Sequence, residues 1–194
     1  PSAYFHTQLY TSNSGYNVSV VNDANAGDFK PDLLWVKSRS DIGGYEISHN
    51  LIDSSRGVTK TLFSDTTAAE TTASQSNYDL TSFDTDGFTN GAPESTNSLG
   101  GGAVGKVAWQ WKANGGTTAS NSDGSITSTV QANTTAGFSI VTFTSASSGN
   151  FSVGHGLGVQ PAMIITKSRD GTSNWWTWHK GLTGGNSNTS YIVA

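Results

Sequence analysis

The chain has 194 residues, 34% hydrophobic and 12% charged, so it is long enough to bury a substantial core and too apolar to be a disordered tail. A net charge of −4, with ten Lys and Arg scattered singly, offers no basic patch for phosphates and excludes nucleic acid as an expected partner. The absence of cysteine excludes disulfides, thiolate metal sites and cysteine nucleophiles.

No stretch reaches the roughly 20 apolar residues that cross a bilayer, and the N-terminus lacks the layout of a signal peptide, so no membrane insertion is expected and a chain made and kept soluble in a cytosol is. Pro1 suits either a natural start after loss of an initiator Met or a cut within a longer chain.

In chain order, the predicted strands are residues 3–10, 17–21, 33–37, 45–49, 59–63, 88–89 and 104–112, then 138–144, 151–153, 162–167, 174–179 and 191–193. Each is short, β-branched or aromatic, and bounded by Gly, Asn, Asp or Pro. Residues 66–74 carry the best helical periodicity, but their threonines limit them to one turn or a short helix. Asp84-Thr-Asp-Gly87 reads as a turn before Phe88 and has too few oxygen ligands for a calcium loop. The run Gly100-Gly-Gly102 lacks the Lys and Ser or Thr of a phosphate-binding loop and reads as a hairpin connection. This spacing predicts an all-β antiparallel sandwich, since βαβ units need helical crossovers.

An internal repeat organises the pattern. Pro31-Asp-Leu-Leu-Trp-Val-Lys-Ser-Arg39 returns 130 residues later as Pro161-Ala-Met-Ile-Ile-Thr-Lys-Ser-Arg169, and the same offset sets Tyr45 on Trp175 and His49 on His179. Upstream, Asn17-Val-Ser-Val20 matches Asn150-Phe-Ser-Val153 at an offset of 133. The expected organisation is a first β-sandwich repeat (1–116), a Ser/Thr/Gly-rich connection with a possible strand at 124–130 (117–135), and a partial second repeat (136–194) without counterparts to residues 82–112. A half-unit exposes a sheet edge and an apolar face; either the chain is a fragment of a longer protein, or the second segment packs onto the first.

Trp109 and Trp111 lie two apart in a strand, so both share a face with Val107 and are read as structural core aromatics, as are Tyr45 and Trp175. At an offset of 130, Trp176 and Trp178 fall on Glu46 and Ser48, a polar face in the first copy, which makes them the ligand or interface candidates: a neighbouring subunit, the next domain or a stacked glycan would cover them. His49 and His179 are each solitary, as are His6 and His155, and read as hydrogen-bonded structural residues. Asp53-Ser-Ser-Arg-Gly57 reads as a local salt bridge across a turn. Glu46, Glu70 and Glu94 sit in no recognisable catalytic motif and there is no Gly-x-Ser-x-Gly elbow, so no catalytic residue, metal site or cofactor is expected.

Several segments together resemble a domain that recurs in structural and tail-associated proteins of tailed phages, especially marine and cyanobacterial ones. They are Pro31 to Arg39, Asp53 to Gly57, Ser82-Phe-Asp-Thr-Asp-Gly-Phe88, Val107-Ala-Trp-Gln-Trp-Lys112, Gly154-His-Gly-Leu-Gly158, Pro161 to Arg169 and Asn174 to His179, spanning nearly the whole chain. The longer loop at residues 21–28 departs from its counterpart in the second copy. The resemblance implies a jelly-roll sandwich similar to lectin and glucanase folds, in a repeated virion component assembled in the host cytoplasm. The function expected is a non-enzymatic tail-fibre, tail-tip or capsid-decoration module. Its expected partners are other virion proteins and copies of itself, as a trimer if it is a fibre. The alternatives are a lectin-like module binding a host-surface glycan and a polysaccharide depolymerase.

Overall fold

The computed structural model describes residues 2–12, 17–40, 48–73, 80–91, 104–182 and 192–193. These form an all-β protein of antiparallel sheets, with no helix among the described residues. The largest sheet has six strands in the order β1 (Phe5–Thr11), β9 (Gly105–Trp111), β3 (Leu33–Ser38), β4 (Asn50–Asp53), β5 (Lys60–Phe63) and β6 (Thr71–Thr72). A three-stranded sheet of β2 (Val18–Val21), β8 (Gly87–Asn90) and β7 (Leu80–Asp84) lies against it. Their facing side chains, Leu34, Val36, Ile52 and Ala108 from one and Val20, Leu80 and Phe88 from the other, form one buried cluster. This is the sandwich core, and alternation along β3 and β9 puts every second residue into it.

The alternation also separates the tryptophans from that core. Trp109 and Trp111 share a face with Val107, as expected, but the side chains that β9 sends inward are Lys106, Ala108 and Gln110. The indoles lie on the opposite, half-buried face, where Trp109 meets Trp35 edge-on at 5.9 Å and Trp111 meets Phe5 at 5.0 Å. Of the inward polar groups, Lys106 Nζ donates to Ser38 Oγ at 2.9 Å and Gln110 Nε2 to Asn22 Oδ1 at 2.6 Å.

Residues 117–135 are ordered by pairing: β10 (Ala119–Asn121) and β11 (Ser128–Asn133) form a three-stranded sheet with β12 (Phe138–Phe143). A buried polar cluster fixes β11 to the first unit. Gln131 donates to Ser54 and Ser55 and accepts from the Asn114 and Gly116 amides, while Asp32 accepts from Ser54 Oγ and from the Ala113 and Gly115 amides. Phe138 then stacks on Trp111 at 6.2 Å, so β12 covers part of the tryptophan face.

Several expectations are corrected. Residues 66–74 form no helix among those described; the chain turns and pairs as β6, because threonine side chains favour the pleated surface. The strand expected at 45–49 is not found at residues 48 and 49, the part of it that is described; the buried strand β4 runs instead over Asn50–Asp53, while Tyr45, Glu46, Glu94 and Gly100–Gly102 lie outside the described residues. The Asp84–Gly87 turn closes the β7–β8 hairpin as expected, with Gly87 at φ 107°. Asp84 there accepts from the Ser82 and Thr89 hydroxyls.

Candidate functional site

The sheet of β13 (Met163–Thr166), β14 (Trp176–His179) and β15 (Ile192–Val193) carries the two interface candidates. In its ladder Ile164 stands opposite Trp178 and Thr166 opposite Trp176, so these four side chains share one face. Trp176 is 40% exposed, Ile164 43%, and on the other face Met163 is 52% and Ile165 46% exposed. Three successive apolar residues of one strand thus meet solvent, where the corresponding strand of the first unit has Leu34 at 0%.

The face assignment differs from the one read at a constant offset. The β3–β4 ladder pairs Leu34 with Ile52 and Val36 with Asn50, whereas β13–β14 pairs Ile164 with Trp178 and Thr166 with Trp176. Trp178 therefore stands where Ile52 does, and Trp176 where Asn50 does. These two are 1% and 2% exposed, so the tryptophans occupy a face that is a core face in the first unit rather than a polar one. The loop before β14 is four residues shorter than the loop before β4, and this shift also removes the match of His49 with His179.

Trp175 is buried, packed with Leu51, Leu62 and Trp35, and its indole N–H donates to the Phe63 and Thr66 carbonyls at 2.9 and 3.2 Å. The second segment does pack onto the first. Alongside, the Ser173 amide bonds the Thr67 carbonyl, the Glu70 amide bonds the Arg169 carbonyl, and the Arg169 guanidinium grips both Glu70 carboxylate oxygens at 2.8 and 2.9 Å. Glu70 also accepts from Arg56 at 3.0 Å, and Arg56 pairs with Asp53, as the turn sequence implied. Burial by itself raises the Glu70 carboxyl, but hydrogen bonds from Arg169 and Arg56 outweigh it and hold the group below its ordinary value.

Asp53 and Glu70 are thus two carboxylates meeting on one guanidinium. Glycoside hydrolysis needs a carboxylic acid of raised pKa beside a carboxylate, and Glu70 is shifted the other way. The histidines have local partners: His49 Nδ1 accepts from the Trp35 indole at 2.9 Å, His179 Nδ1 from the Gly181 amide, His155 Nδ1 from the Leu157 amide, and His6 lies 3.2 Å from Gln8 Oε1. Burial, then the charge of Lys37, pushes the His49 imidazole below its ordinary value. Among the described residues no three His, Asp or Glu side chains group as metal ligands, and no helix is long and apolar enough to cross a membrane. A cleft of about 440 Å³, lined by Tyr4, Phe5, Trp111, Thr135, Ala136 and Phe138, opens where β12 meets the first unit; sequence periodicity does not show it, because it joins residues more than 100 apart.

The fold and its open apolar sheet define a β-sandwich protein with a second, partly uncovered layer of strands. Residues 1–193 match the family described as a domain of unknown function, DUF7483, and the chain belongs to that family. No curated protein and no solved structure matches it.

Proposed function

We propose that this chain is a non-enzymatic structural or adhesion module of a tailed-phage virion, working through protein contacts made by its β13–β15 sheet. The observation that carries the reading is the exposure of Met163, Ile164, Ile165 and Trp176 on one small sheet, in a protein whose first unit closes a core of seven fully packed apolar side chains. The resemblance of the Pro31, Asp53, Ser82 and Val107 segments to tail-associated domains supports the virion setting. Light scattering of the purified chain is expected to give an oligomer, a trimer for a fibre, that falls to monomer when Ile164→Ser and Trp176→Ser are combined. A monomer at every concentration for the unaltered chain overturns the reading, and immunogold labelling of virions places the module.

The second reading is glycan binding. Trp176 and Trp178 lie two apart on one face of β14, the arrangement of a stacking platform for sugar rings. Glycan-array binding that disappears in both Trp176→Ala and Trp178→Ala supports it, and binding that survives them removes this site.

A further inference from the structure

The three strands β13, β14 and β15 reproduce β3, β4 and β5 rung for rung. Leu33↔Asp53 to Val36↔Asn50 become Met163↔His179 to Thr166↔Trp176, and Asn50↔Phe63 and Leu51↔Leu62 become Trp176↔Val193 and Thr177↔Ile192. The hydrogen-bond phase also agrees: the Ser54 amide bonds the Asp32 carbonyl, and the Lys180 amide bonds the Ala162 carbonyl, 130 residues after Asp32. Bonded rungs alternate in an antiparallel ladder, so Ala162, Ile164 and Thr166 turn their backbone groups to β14. Met163, Ile165 and Lys167 turn theirs the other way.

In the first unit that other edge is occupied. There β9 pairs with β3, Trp111 beside Leu33, Trp109 beside Trp35 and Ala108 beside Val36, with Arg39 bonding the Gly105 carbonyl. Among the described residues β13 has β14 as its one sheet neighbour, so the strand that matches β3 lacks the neighbour that joins β3 to β1. The exposure of Met163 and Ile165 follows, because in the first unit the indoles of β9 lie next to their counterparts.

We infer that the edge of β13 accepts a β-strand of the β9 pattern from a partner polypeptide, antiparallel, with aromatic side chains two apart beside Met163 and Ile165. The first unit prescribes this occupant: indoles at alternate positions cover the two apolar residues, small or amide side chains between them fit beside Ile164 and Thr166, and a lysine two rungs beyond Thr166 reaches Ser168 as Lys106 reaches Ser38. The inference rests on reading β13–β15 as a contact surface and names the partner's chemistry.

The probe is a dye-labelled peptide with the sequence of residues 104–113, added to the full chain. Saturable anisotropy is expected, together with slowed hydrogen exchange at the Met163, Ile165 and Lys167 amides. Ile165→Pro, which removes one edge-facing amide and leaves the β14 rungs intact, is expected to weaken binding about tenfold, as is a peptide with both tryptophans changed to serine. Where the proline variant does not fold, the exchange pattern of the unaltered chain decides. The inference is overturned if no saturable binding occurs, if protection falls on β1 or β6 instead, or if the three amides are already protected by pairing between copies of the chain. Oligomer loss in the Ile164→Ser, Trp176→Ser variant alongside a silent peptide leaves the contact reading standing and this inference refuted.

Discussion

Trp175 shows how a single residue joins the two halves. Its ring fills a pocket of Leu51, Leu62 and Trp35, and its indole N–H bonds two carbonyls of the first unit. Trp175→Ala is expected to lower stability by about 3 kcal/mol in denaturant titration, the usual cost of emptying a buried aromatic site. Trp175→Phe keeps most of the packing and loses the shared hydrogen bond, so about 1–2 kcal/mol is expected. An alanine effect under about 0.5 kcal/mol, the range of surface substitutions, sinks the docking role. Sequence marked Trp175 as structural because aromatic residues recur at strand positions, but it could not say that the ring leaves its own sheet. Likewise the spacing of Trp176 and Trp178 showed that they share a face. Which face depended on a loop shortened by four residues, invisible to a constant offset.

At the level of elements, the β4–β5 turn and the loop between β13 and β14 are held by the ion chain Asp53, Arg56, Glu70, Arg169. The Asp53–Arg56 part was legible because its members lie three apart in a turn; Glu70 and Arg169 are 99 residues apart and carry no local signal. The Glu70 side chain is 8% exposed and that of Arg169 41%, so the two ends of the pair differ in worth. Glu70→Gln takes one of two carboxylates from the buried Arg56, which keeps Asp53, and is expected to cost about 2 kcal/mol at neutral pH. Arg169→Ala, at the solvated end, is expected to cost about 1 kcal/mol or less. Because the folded-state pKa of Glu70 lies below its ordinary value of 4.5, its stabilisation is complete above that pH and is lost as pH falls through the folded value. The gap between wild type and Glu70→Gln should therefore narrow below about pH 4. A gap that widens in acid contradicts the ion chain.

Taken whole, the molecule sets a closed sandwich against a layer in which, among the described residues, the strand β13 is paired on one edge only. Alternation and turn residues made the all-β class and most first-unit strands readable, because each short apolar run is bounded by Gly, Asn, Asp or Pro. Pairing order was not readable, since β9 inserts between β1 and β3 although it follows β3 by about 70 residues and β1 by about 100. The contrast can be measured along the two segments whose sequences match at an offset of 130. From Leu33 to Lys37 every amide of β3 faces a partner strand, β4 at Leu34 and Val36 and β9 at Leu33, Trp35 and Lys37, so hydrogen exchange should be uniformly slow over these five residues. In β13 only the Ile164 and Thr166 amides face β14, while those of Met163 and Ile165 face the open edge. Exchange in the isolated chain should therefore alternate residue by residue across β13, slow at 164 and 166 and fast at 163 and 165, and be even across β3. Because unpaired edge amides exchange without any opening of the ladder, the contrast should persist at temperatures well below unfolding. Uniform protection of β13 would mean that its second edge is paired in the isolated chain.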